Sequence, residues 1–139
     1  MAETNSAGDR VQEVFAAALH AYNNSYSPYS HYAVGAAVAI RGSNRIFGGT
    51  NVENASYGAT ICAERSAIVA MVSSIGRHTI DIVAVVSLDD PPAVPCAVCL
   101  QVLAEFAAPD TLIVVGTPEK GICSEYRFNQ LLPYPFTLD

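Results

Sequence analysis

The chain has 139 residues, 51% of them hydrophobic and only 14% charged, with a formal net charge of −6. That length suits one domain spanning residues 1–139, large enough to bury a single core without disulfide staples. An acidic balance with no run of Lys or Arg excludes a surface that tracks a phosphate backbone, so the expected ligand is a small uncharged molecule and not a nucleic acid.

Met1 to Asp9 is polar and lacks the basic and apolar regions of a signal peptide; residues 1–8 are expected to be a disordered tail. Asp9 to about Asn23 reads as a first helix with Asp9 as N-cap, because Val11, Val14, Phe15, Ala18 and Leu19 share one face. The cluster Ser25-Tyr26-Ser27-Pro28-Tyr29-Ser30 breaks it. Ala33–Ile40 and Arg45–Thr50 read as strands joined by a turn at Gly42-Ser43-Asn44. Cys62 to about Ser73 is predicted as a helix, Ile80–Leu88 as a buried strand, and Cys96–Ala107 as a second core helix with Pro95 just ahead of it. Thr111–Val115 is a further strand and Phe128–Leu132 a short terminal helix. A hairpin followed by alternating helix and strand predicts an α/β fold, a three-layer α/β/α sandwich with a mixed sheet. The longest apolar stretch, Tyr32–Ile40, is nine residues, too short to span a bilayer, so no membrane is expected and the location expected is cytoplasmic.

Chemistry concentrates in Cys62-Ala63-Glu64 and Pro95-Cys96-Ala97-Val98-Cys99. A lone Cys-x-x-Cys also fits a redox pair or half of a structural four-thiolate zinc site. A structural site needs a fourth ligand. The other cysteine is Cys123, and His20, His31 and His78 have no ligand spacing. Three thiolates and an open fourth position suit a catalytic Zn²⁺, one per chain, with Glu64 close to the metal but not bound to it. Helix starts at Cys62 and Cys96 would aim positive dipole ends at the thiolates. The order Cys-x-Glu…Pro-Cys-x-x-Cys also matches the signature of zinc nucleobase deaminases with an all-cysteine ligand set.

Four stretches extend the likeness: Tyr26 to Ala37, Asn51 to Gly58, Ile61-Cys62-Ala63-Glu64-Arg65, and Pro95-Cys96 through Gln101-Val102-Leu103, with Leu131-Leu132-Pro133 and Phe136 closing the chain. On these the sequence resembles the short-chain, homotetrameric, zinc-dependent cytidine deaminases, from about Tyr26 to Phe136. The resemblance implies ribose-binding roles for Asn51 and Glu53. In extended chain these two would project from one face, an amide and a carboxylate for a pair of sugar hydroxyls. It places Tyr32 where the family usually has a Phe against the pyrimidine. It makes Phe136 the residue that stacks on the base in a neighbouring subunit's site, with Ala55 and Tyr57 also contributed across the subunit boundary. Arg65 matches an Arg that donates to the zinc thiolates, offsetting the −1 charge of Zn²⁺ with three thiolates. Two residues depart from the pattern: Ala97 replaces a usual Gly, and Leu100 replaces a usual Arg, which removes a cation next to a proposed ligand.

The resulting expectation is zinc-dependent hydrolytic deamination of cytidine and 2′-deoxycytidine to uridine and 2′-deoxyuridine with release of ammonia, a step of pyrimidine nucleoside salvage. Glu64 is the proton carrier. Two alternatives stay open: the same chemistry on another aminopyrimidine nucleoside, such as a base-modified cytidine or the antibiotic blasticidin S, and a non-catalytic zinc-stabilised nucleoside-binding protein. The thin surface charge favours an oligomer, expected to be a homotetramer.

Overall fold

The structure is a computed structural model and describes residues 6–138. Five strands form one mixed sheet: β1 (Gly35–Ile40), β2 (Ile46–Thr50), β3 (Ile80–Val86), β4 (Ala107–Thr117) and β5 (Gly121–Arg127), in the order β2-β1-β3-β4-β5. Among the described residues four α-helices, α1 (Ser6–Tyr22), α2 (Ala63–Ile75), α3 (Ala97–Leu103) and α4 (Phe128–Leu131), and a short 3-10 turn at Tyr57–Ala59 complete it. β3 and β4 are parallel and every other pair is antiparallel. A parallel pair cannot be closed by a tight turn, and α3 is the crossover between these two strands.

The pleat divides the core in two. Val38, Ile40, Val83, Val85, Ile113 and Val115 face α2, α3 and α4 and pack on Ala67, Ile68, Met71, Leu100, Leu103 and Phe128. The alternate positions Ala37, Ala39, Ile82, Ala84, Val86 and Val114 face Val14, Phe15 and Ala18 of α1. Register lines one residue per strand into a row on the first face, Phe47–Val38–Val83–Ile113–Tyr126. The second face is lined with alanine, which lets α1 lie close. A Cβ on Gly35 would stand 2.1 Å from the Ala18 carbonyl oxygen, and one on Gly49 would stand 2.2 Å from the Ala67 nitrogen of α2. The expected α/β/α sandwich is the observed one.

Several boundaries differ from expectation. α1 begins at Ser6, so Asp9 lies inside its first turns and is not the N-cap, and residues 6–8 are helix, not tail; the rest of the expected tail, residues 1–5, lies outside the described residues. α3 ends at Leu103, and Ala107, expected as helix, opens β4. β4 runs eleven residues, well beyond the expected Thr111–Val115. β5 was not anticipated: Gly-Ile-Cys-Ser-Glu-Tyr-Arg has no apolar run, and as an edge strand it buries one face only. The β1–β2 turn sits as predicted, with Gly42 at φ +75.

Candidate metal centre and nucleoside pocket

Two helix starts meet at the carboxyl end of β3, where α/β sheets commonly hold ligands. Cys62 is the residue before α2 and Cys96 the residue before α3, both in extended conformation, with Cys99 in the first turn of α3. Val52 and Ile61 exchange backbone bonds of 2.9 Å in both directions, which fixes the approach to Cys62. The thiols of Cys62, Cys96 and Cys99 offer sulfur atoms that all lie within 4.8 Å of one another. Sulfurs at the ordinary Zn–S distance of about 2.3 Å in a tetrahedron stand about 3.8 Å apart, so a small adjustment closes the set around one ion.

The electrostatics of the cluster ask for a cation. Burial first, then the charges of Glu64 and Cys62, push the Cys99 thiol far above its ordinary value. Burial also opposes ionisation of Cys96, but hydrogen bonds from the Cys99 backbone N–H, the Cys99 thiol and the Val98 backbone N–H outweigh it and its net shift is downward. Three thiolates cannot coexist here without a compensating charge. Arg65 supplies part of it: Nη2 donates to Cys62 Sγ at 3.5 Å and to the Thr60 carbonyl at 3.4 Å. Its Nε is buried with no partner, leaving a spare donor beside the thiols. A zinc ion fits these residues.

Glu64 lies in the first turn of α2, 8% exposed, and lines the cavity together with Cys62 and Cys96. Burial raises its pKa, and the opposing pull of its own backbone N–H and of Arg65 does not cancel the shift. It is therefore readier to take up a proton than a surface carboxylate. This cavity, of about 260 Å³, is lined also by Tyr32, Val34, Asn51, Thr60, Ile61, Ala63, Val85, Ala93 and Val94. A second cavity of about 400 Å³, lined by Tyr29, Ser30, Glu53, Asn54, Tyr57 and Thr60, meets the first at Thr60.

The structure thus gathers Tyr32, Asn51, Cys62, Glu64 and Cys96 around one cavity and puts Glu53 and Tyr57 in the next. Asn51 lines the first cavity and Glu53 the second. Both hold the preceding loop. Asn51 Oδ1 accepts from Ser25 Oγ at 2.5 Å and Val34 N at 3.0 Å, while its Nδ2 donates to the Tyr32 carbonyl at 2.7 Å. Glu53 accepts from the Tyr29 and Ser30 amides at 3.0 and 3.1 Å and from the Ser30 hydroxyl, whose bond is the largest cause of its lowered pKa. Ala55 is exposed and lines neither cavity. Phe136, 67% exposed, also lines neither; its backbone pairs with the Gln101 side chain. Ser30, Thr60, Ala93 and Val94 escaped the sequence reading, because nothing local marks a loop residue that a distant loop will meet.

Leu100, one position after Cys99, points away from solvent. It is 6% exposed and lies in the same buried cluster as Val83 and Met71, as a packing residue.

Residues 9–115 match the family model described as the cytidine and deoxycytidylate deaminase zinc-binding region. The chain belongs to that family. It is 39% identical over 122 residues to the cytidine deaminase of Halalkalibacterium halodurans, covering 88% of this chain and 90% of that protein. A cytidine deaminase of Mycoplasma pneumoniae is 47% identical over 100 residues, 71% of this chain and 74% of its own length. Among solved structures, cytidine deaminase from Burkholderia pseudomallei superposes with a TM-score of 0.81 at 34% identity, over 89% of this chain and 97% of the other. The Mycobacterium tuberculosis enzyme gives 0.75 at 34%, over 91% and 96%. The three-thiol cluster of this deaminase-family chain falls within its matched zinc-binding region.

Proposed function

We propose that this chain is a zinc-dependent hydrolase that deaminates cytidine and 2′-deoxycytidine to uridine and 2′-deoxyuridine, releasing ammonia. One observation carries the reading: a buried carboxylate, Glu64, and two of three clustered thiols open onto the same cavity. Cys62, Cys96 and Cys99 hold the metal, and Zn²⁺ there supplies the Lewis acidity that makes water a nucleophile near neutral pH. Glu64 takes the proton from the attacking water, hands it to N3 of the base, and moves a second proton to the departing amine at C4. Its raised pKa suits both directions of transfer. Arg65 holds Cys62 and offsets thiolate charge. Tyr32 forms a wall for the pyrimidine, and Asn51 and Glu53 lie on the sugar side, where their remaining donor and acceptor positions receive hydroxyls.

A carboxylate at the second cavity and a net charge of −6 favour an uncharged nucleoside over a nucleotide or a nucleic-acid strand. A pure binding module has no use for a buried carboxylate beside a metal, since burying one costs stability. Exposed apolar side chains support a homotetramer: Val69 and Val72 on α2, Val98 on α3, and Phe136, which lines no cavity holding its own chain's thiols. Phe136, Ala55 and Tyr57 are then residues for a neighbour's site. No described helix is long and apolar enough to cross a membrane; a cytoplasmic place fits four cysteines without a disulfide among the described residues. The test is the loss of ultraviolet absorbance on adding cytidine, 2′-deoxycytidine or deoxycytidine monophosphate, before and after a zinc chelator. Turnover of both nucleosides that chelation abolishes is expected. Turnover untouched by metal removal, or confined to the nucleotide, would overturn the reading.

A further inference from the structure

The Tyr32 ring is one wall of the cavity that holds the thiols, yet its hydroxyl is spent elsewhere: Oη donates to Asp89 Oδ2 at 2.7 Å. Asp89 stands in the loop joining β3 to α3, the loop that contributes Ala93 and Val94 to the cavity wall and ends on Cys96. Tyr32 is held on its other side as well. Its amide donates to Ser30 Oγ at 3.0 Å and its carbonyl accepts from Asn51 Nδ2 at 2.7 Å, while the Ser30 hydroxyl donates to Glu53. A continuous series of polar contacts, Glu53–Ser30–Tyr32–Asp89, therefore runs from the second cavity to the cysteine-bearing loop. That loop has another anchor, Lys120 Nζ to Asp90 Oδ2 at 2.9 Å, which ties it to the β4–β5 turn.

We propose that Asp89 is a positioning residue for the nucleoside: by holding the Tyr32 hydroxyl, it clasps the loop before Cys96 to the loop before β1 so that both act as one wall against the base. The inference rests on the deaminase reading and goes beyond it, because a Phe at position 32 would leave the two loops unlinked. The phenol keeps its proton throughout the working range, since burial first and then the bond to Asp89 raise its pKa to about 12. Ser87 Oγ, buried and without a hydrogen-bond partner in good geometry, is its other polar neighbour. A clasp that shapes the wall acts on bound substrate and transition state alike, so its loss raises KM and spares kcat.

The experiment is steady-state cytidine deamination by the parent and by Tyr32→Phe, Asp89→Ala, Asp89→Asn and the Tyr32→Phe/Asp89→Ala double variant, each with zinc content and melting temperature measured. The loss of one exposed hydrogen bond predicts a KM rise of roughly three- to tenfold for Tyr32→Phe and Asp89→Ala, with kcat held within about twofold. The double variant should be no worse than the poorer single, and Asp89→Asn, which keeps an acceptor, should recover part of the loss. Unchanged KM in Asp89→Ala, or effects that multiply in the double variant, would overturn the clasp while leaving the deaminase reading intact. So would a KM rise matched by a fall in zinc content, which assigns the pair to the scaffold. A parent that turns over no cytidine would instead overturn the deaminase reading, and the clasp with it.

Discussion

Cys99 is the most deeply buried of the three thiols, at 1% exposed, and its proton is held by burial and by the negative neighbours Glu64 and Cys62. Only a cation placed among the sulfurs releases that proton, so protein purified without added metal should carry about one zinc per chain, read by elemental analysis. A content near zero, or a Cys96–Cys99 disulfide, would refute the assignment. Leu100, one position on, lies in the core, and Leu100→Arg should destabilise the fold by about 3–5 kcal/mol for an uncompensated buried charge. Denaturant unfolding measures that loss, and a shifted pH–rate profile with unchanged stability would restore the electrostatic account. Tyr32 adds a pH signature. Its folded pKa of about 12 lies above its ordinary 10.0, so the protonated phenol stabilises the fold fully below about pH 10 and that contribution disappears between about pH 10 and 12. Tyr32→Phe should flatten this part of the stability–pH curve; an equally steep fall in the variant would deny Tyr32 the role.

At the scale of elements, the site depends on how closely α2 lies on the sheet. Its Ala67 nitrogen and Ala63 carbonyl would stand 2.2 and 2.7 Å from a Cβ on Gly49. Gly49→Ala must therefore push away the first turns of α2, which carry Glu64 and follow Cys62. The expected result is loss of bound zinc and of turnover, whereas Gly8→Ala, with nothing within 4 Å of the new methyl, should keep both. The two helix starts were legible in the sequence because Pro95 and the apolar spacing after Cys62 are local signals. The length of α3 was not: Phe106 and Ala107 continue an apolar pattern, and only pairing of Ala107 with Ile80 turns it into strand. β5 hid for the opposite reason, since an edge strand partnered on one side needs no apolar run. The duties of Asn51 and Glu53 toward the 25–34 loop were illegible as well. They depend on a fold-back that brings Tyr26 beside Val52, and no local pattern encodes it.

The whole molecule shows a well-filled sandwich with apolar side chains left outside. Val69, Val72 and Val98 cover the outer faces of α2 and α3, and Tyr134, Phe136 and Leu138 stand exposed at the tail. Light scattering should give about four times the 14.7 kDa chain mass, and deleting the chain from Tyr134 should raise KM more than it lowers melting temperature. A fully active monomer would contradict both. Sequence reading reached the three clustered thiols, the carboxylate and the sandwich because each is a spacing or a periodicity; the pocket walls come from three separate loops and were found only in three dimensions. The central claim is that Glu64 moves the protons at this centre. It is tested most directly by comparing uridine formation in the parent and in Glu64→Gln at matched zinc content. The account predicts a zinc-replete, folded, nucleoside-binding variant whose turnover falls by at least ~10²–10⁴-fold. Turnover within a few-fold of the parent would contradict it.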